Sequence, residues 1–345
     1  MTHSRRTVLS LLPAALVTAC SATRSGTAPS DGATPVRPAT PSVTPPTTSG
    51  TTPPGDVLGS VDPWLPPDGE AHLTLKRLVT DAVEAIGSWS EPEGALTAAA
   101  RARGLGLGLP PEVVDSFGEL LEPAAVAART QVVYPQLGGL TATESSIMTV
   151  VSQELLMSDG SRHERGNVLD VRLAAREGVW AVRGVVPTAP VVPITPGGAT
   201  PSEAARRVLE HPRLVLPPSA AADVMAGGVD DSILSVLAGL ADRHDLQVQV
   251  FYDGHPTNVF GTDRASRHSQ GRAVDIVRVD GTWVNDPAMP RGTLEAVMTL
   301  AGQLGATEIG GPFDLNGPGR GYFTDAVHLD HLHVAVGVGV PAAAP

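Results

Sequence analysis

Apolar residues recur at helical spacing in Leu75, Leu78, Val79, Ala82, Val83 and Ile86, which predicts an amphipathic helix over residues 73–86. Two further helices are expected over 95–103 and 112–122, the second opened by Pro110-Pro111 and closed by Pro123. The period then shortens to two. Leu169, Val171 and Leu173 alternate with Asp170 and Arg172, and after the turn residues Arg176-Glu177-Gly178 the alternation resumes with Trp180 and Val182. A strand over 145–157 ends at Ser158-Asp159-Gly160, another turn signal. Helices followed by antiparallel hairpins predict an α+β domain over 65–187.

Five prolines between Pro187 and Pro201, with Gly197-Gly198 among them, mark residues 188–200 as a linker. Beyond it helices are expected over 203–209, 232–243 and 294–304, the second capped by Asp230 or Asp231. Strands are expected over 246–252, 271–279 and 331–336. This second region, 201–340, is again α+β.

The chain start changes the picture from a free domain pair to an exported protein. Arg5 and Arg6 precede an apolar stretch from Val8 to Ala19 that is too short to span a bilayer comfortably, so residues 1–19 read as a signal peptide. Val17-Thr18-Ala19-Cys20 resembles a bacterial lipobox, which implies cleavage before Cys20 and acylation of its sulfur and of the new amino terminus. Ser4-Arg5-Arg6-Thr7-Val8-Leu9 is also similar to a twin-arginine signal, so general and twin-arginine export both stay open. Of the 35 residues Ser21–Gly55, 30 are Ser, Thr, Pro, Gly or Ala, too few apolar groups to repay chain entropy. Residues 20–64 are therefore expected to be a lipidated, disordered tether, able to hold the folded part on the order of 50–100 Å from its anchor. These features imply a lipoprotein on the outer face of the bacterial cytoplasmic membrane, with the lipid as its only membrane contact.

Cys20 is the only cysteine, so the mature chain has no internal disulfide to rely on. The formal net charge is −12 and no basic stripe with interleaved aromatics occurs, which argues against nucleic acid as a partner.

Candidate chemistry gathers in two segments, Ser266-Arg267-His268-Ser269-Gln270-Gly271-Arg272-Ala273-Val274-Asp275 and His328-Leu329-Asp330-His331-Leu332-His333. Strand alternation puts Ala273, Asp275 and Val277 on one face, and His331 and His333 on one face of the last strand. Three nitrogen or oxygen ligands with a fourth position left to water are what a catalytic zinc needs.

Ser-x-His-x-x-Gly-x-Ala-x-Asp followed by His-x-His resembles the zinc peptidase superfamily of D-Ala-D-Ala carboxypeptidases, lysostaphin-type endopeptidases and the hedgehog signalling domain. The resemblance covers about residues 201–340. It implies Zn2+ held by His268, Asp275 and His333, a fold with a small antiparallel sheet, and peptidoglycan or wall peptides as substrate. It further implies Asp330 as general base, three residues before the last ligand, and His331 as a support for the water or oxyanion. The carboxypeptidase branch carries Tyr-Arg-Ser where this chain has Phe251-Tyr252-Asp253-Gly254-His255; Arg264 is then the candidate for gripping a substrate carboxylate, and carboxypeptidase and endopeptidase modes stay open. His328 is expected at the surface. The first region is similar, in element order alone, to nuclear-transport-factor-like modules. The alternative to an enzyme is a noncatalytic zinc-containing module that binds wall peptides or an envelope protein.

Overall fold

The computed structural model describes residues 62–90, 106–187 and 200–337, together with Leu58 and Gly104. The signal peptide, Cys20, nearly all of the tether, the helix expected over 95–103 and the linker up to residue 199 lie outside the described residues. All described residues fall within one unit, Pro54–Pro345. It has the α+β character expected, with an antiparallel four-stranded sheet, a mixed seven-stranded sheet and several helices.

Helix α1 (Leu73–Gly87) buries Val79, Val83 and Ile86, the apolar stripe that predicted it. It packs on a meander of β1 (Ala125–Leu140), β2 (Glu144–Met157), β3 (Arg162–Arg176) and β4 (Val179–Val186), paired in chain order. The β3–β4 hairpin closes on Glu177 and Gly178, both with positive φ (52° and 80°), which suits a two-residue turn. The helix expected over 112–122 is broken. α2 covers only Pro111–Asp115, because the Ser116 hydroxyl donates back to the Val113 carbonyl (2.6 Å) and accepts the Val185 N–H (2.8 Å), tying the helix end to β4.

The second region holds α3 (Glu203–Leu209), α4 (Pro218–Met225), α5 (Asp231–Ala241) and α6 (Arg291–Gln303). Asp230 caps α5 by accepting the Ser232 N–H. The strands are β5 (Leu214–Val215), β6 (Leu246–Val250), β7 (Ala273–Val279), β8 (Thr282–Trp283), β9 (Glu308–Gly310), β10 (Tyr322–Phe323) and β11 (Leu332–Ala335). Their order is β10-β9-β11-β7-β6-β5, with β8 hairpinned onto β7. The expectation of a small antiparallel sheet needs correction at the edges. β9, β11, β7 and β6 are antiparallel, but β5 runs parallel to β6 and β10 parallel to β9.

Both faces of β7 are covered, and that arrangement determines where the site lies. Val274 and Ile276 enter the core formed with α3, α5 and α6, whereas Val277, on the opposite face with Asp275, joins the core of α1 and the first sheet. Trp283 of β8 stacks on Tyr134 of β1 with centroids 4.6 Å apart, and the Gln249 side chain donates to the Tyr134 carbonyl at 2.9 Å. The first region thus roofs the Asp275 face of the second sheet.

Candidate metal centre

His268 stands on a single 3₁₀ turn, His268–Gln270, ahead of β7. Gly271 ends that turn at φ +65°, a conformation open to glycine at little cost, and so lets the chain reverse into β7 within two residues. Asp275 and His333 are direct cross-strand partners on β7 and β11. The three residues named from the sequence therefore converge. His268 Nε2 lies 3.2 Å from Asp275 Oδ1 and 3.1 Å from His333 Nδ1, and His333 Nδ1 lies 3.0 Å from the same Asp275 oxygen. His268 Nδ1 faces the Phe251 carbonyl at 2.5 Å, so its proton is placed there and Nε2 is left as a lone-pair donor.

His255 completes a second grouping that the sequence reading did not single out. With His268 and Asp275 it forms a set able to hold a metal ion, the donor atoms lying within 4.8 Å of one another. Its ring stacks on His268 at 3.9 Å with planes 11° apart, and its Nδ1 faces the Pro256 carbonyl at 2.9 Å.

Electrostatics keep this group in ligand-ready form. Burial, reinforced by the neighbouring His268, lowers the His333 pKa to about 4 against the opposing pull of Asp275, so His333 is neutral at neutral pH. Burial and His268 likewise push His255 well below its ordinary value. Burial alone would raise the Asp275 carboxyl; the neighbouring His268, His331 and His333 outweigh it and hold the group well below the usual carboxylate range.

Asp330 is not free to face a substrate. It is buried, with Oδ2 taking the Lys76 ammonium (2.5 Å) and the Leu137 N–H (3.1 Å), and Oδ1 facing His331 Nδ1 at 2.7 Å. Burial raises its carboxyl, but the charge of Lys76 and the bond to His331 outweigh that and keep it ionised. His331 in turn points Nε2 toward Asp275 Oδ2 at 3.7 Å. Its pKa is raised because Asp275 and Asp330 overcome the effect of burial.

His255, His268, Asp275, His331 and His333 form the floor of a cleft of about 740 Å³, whose walls include Phe260, Phe323, Met148 and Arg264. Gly139 of β1 lets the wall close in, since a Cβ there would sit 2.1 Å from Phe260 Cγ. Arg264 lines the rim on an exposed loop. His328 also lines the cleft rather than facing solvent alone, its Nδ1 bonded to Asp325 at 2.7 Å. Gln136 and Lys76, both fully buried, reach the site from the first region, and nothing in the sequence pattern pointed to either. No family model matches the chain, and no similar curated protein or solved structure was found.

Proposed function

We propose that the chain is a zinc-dependent hydrolase of the bacterial cell envelope, lipid-anchored through Cys20 and acting on peptide bonds of peptidoglycan. One observation carries the metal: three donor atoms of His268, Asp275 and His333 form a triangle with edges of 3.0–3.2 Å. Tetrahedral zinc with bonds of about 2.0–2.1 Å separates its ligands by roughly 3.3 Å, so these atoms stand almost at the required spacing already. His333 is preferred to His255 as third ligand on the geometry of the rings. An imidazole lone pair lies in the ring plane, and two stacked planes 11° apart do not meet near their nitrogens. The His268 and His333 planes are tilted by 55° and do converge.

Zinc bound there would supply Lewis acidity and lower the pKa of a water molecule in the cleft. The proton that the attacking water gives up goes to His331 Nε2. Asp330 holds the Nδ1 proton of that ring and so makes Nε2 the nitrogen that takes up and gives back a proton, which makes Asp330 the orienting member of an acid–base pair rather than the base itself. His331 then returns the proton to the leaving amine. Arg264 on the rim would pair with a substrate carboxylate. The superfamily resemblance supports wall peptides as the substrate class, and the export signal with its tether supports the envelope as the location.

The test is incubation of zinc-loaded protein with purified muropeptides, read by mass spectrometry. Fragments gaining the mass of water on cleavage support the hydrolase; loss of one terminal residue marks a carboxypeptidase and internal cleavage an endopeptidase. Intact muropeptides alongside stoichiometric zinc would favour the noncatalytic binding module instead.

A further inference from the structure

We propose that the region before residue 187 is part of the metal centre, with Gln136 and Lys76 acting as positioning residues for Asp275 and for the Asp330–His331 pair. The inference rests on the metal reading above and extends it to a part of the chain that the motif does not include.

Gln136 lies on β1, the edge strand of the first sheet, where that edge meets the cleft. Its side chain is fully buried and its Nε2 donates to Asp275 Oδ2 at 2.5 Å. That oxygen is the one outside the donor triangle, which uses Oδ1. A carboxylate with both oxygens free can swing between one-oxygen and two-oxygen binding. Fixing Oδ2 with an amide N–H leaves Oδ1 as the single donor and keeps a position open for water and substrate. Gln136 Oε1 is buried without a protein hydrogen-bond partner among the described residues. The bond to Asp275 is the one side-chain hydrogen bond of Gln136 among the described residues.

Lys76 does the equivalent for the acid–base pair. Its ammonium is buried between Glu70 and Asp330, 3.3 Å from the Tyr134 hydroxyl. Together with the Leu137 N–H it occupies Asp330 Oδ2 from the first region's side, so that Oδ1 alone is left for His331. The ring angle of His331, and with it the aim of Nε2, is therefore set by residues 254 positions away in sequence from Asp330 at the lysine end. Outer groups of this kind are typically worth 10–100-fold in metal affinity or activity.

The experiment uses the full chain carrying Gln136→Met, which keeps length and apolar bulk but removes the donor, with Gln136→Leu as a second variant should the first fail to fold. Zinc affinity is read by competition with a chromophoric chelator, ligand geometry by the visible spectrum of the Co2+-loaded protein, and structural damage by the melting temperature of the metal-free form. Expected are 10–100-fold weaker zinc binding, a changed Co2+ spectrum and a metal-free melting temperature no lower than the parent's. Zinc affinity within threefold of the parent and an unchanged Co2+ spectrum would overturn the positioning role while leaving the metal centre standing. A parent chain that takes up neither zinc nor cobalt would overturn both.

Discussion

At the scale of single residues, the stacked pair His255–His268 and the tilted pair His268–His333 make opposite demands on a metal, and substitution separates them. His268→Ala and His333→Ala should each lower zinc from about one per chain to near none, because two remaining ligands cannot hold tetrahedral zinc. His255→Phe should keep it, since a phenyl ring can stack on His268 as the imidazole does. Zinc measured by elemental analysis after gel filtration decides the matter; loss in His255→Phe with retention in His333→Ala would move the third ligand to His255. The role of Asp330 is tested by a tautomer. In Asp330→Asn the amide can still accept from Lys76 and Leu137, but its NH2 faces His331 Nδ1 and forces the proton to Nε2. Turnover should then fall roughly 10²–10⁴-fold with zinc content unchanged. Undiminished turnover in a zinc-loaded mutant would remove His331 from proton transfer.

At the scale of elements, the loop after β6 that carries His255 is held by a carboxylate from α4. Asp223 Oδ2 accepts the N–H groups of Tyr252 (2.9 Å) and Asp253 (3.0 Å). Burial raises its pKa to about 6, with Asp253 adding repulsion, while the two amide bonds and His268 oppose the shift. The folded value lies above the unfolded one near 3.8, so the native state binds the extra proton between about pH 4 and 6 and loses stability as pH rises through that window. Asp223→Asn, which keeps an oxygen for both amides, should flatten that decline. By the conversion of 1.36 kcal/mol per unit, the variant gains at most about 3 kcal/mol over the parent at pH 7–8. Denaturant unfolding of both proteins at pH 4 and pH 7.5 measures it, and an equal difference at the two pH values would show that Asp223 carries no such strain.

The elements also show what was legible beforehand and what was not. α1, α3, α5 and β7 follow from periodicity, and His268 and Asp275 follow from β7 and the turn before it, because a motif of ten residues fixes its own local geometry, whereas His333 on β11 is tied to them only by the resemblance. β1 escaped because Pro135, Gly138 and Gly139 interrupt its pattern; the structure accommodates them with register shifts at an edge strand, where a missing N–H is tolerated. Gln136 and Lys76 escaped for another reason. Their partners Asp275 and Asp330 lie 139 and 254 residues away, and a single buried amide or ammonium leaves no trace in spacing or composition. The reading of residues 65–187 and 201–340 as two domains likewise had no means of seeing that Val277 on β7 packs into the first core.

At the scale of the whole molecule, that packing makes a prediction about truncation. A chain beginning at residue 200 keeps the complete motif and all three donors, so if the motif were sufficient it would bind zinc like the full protein. It would also bare one face of the second sheet. Val277 is fully buried and Trp283 stacks on Tyr134, and both would lose that cover. Exposing a valine and a half-buried tryptophan costs a few kcal/mol at about 25 cal/mol per Å², a large part of the 5–15 kcal/mol by which a domain is stable. Asp330 would lose Lys76 and the Leu137 N–H while keeping its charge and its bond to His331. Asp275 Oδ2 would lose Gln136, freeing the carboxylate to rotate. The truncated chain should therefore associate or melt well below the full protein, and any folded fraction should bind zinc at least tenfold more weakly, as chelator competition would measure. A monomeric fragment with the parent's zinc affinity would show instead that the second region alone suffices, and that the first is joined to it for some other purpose.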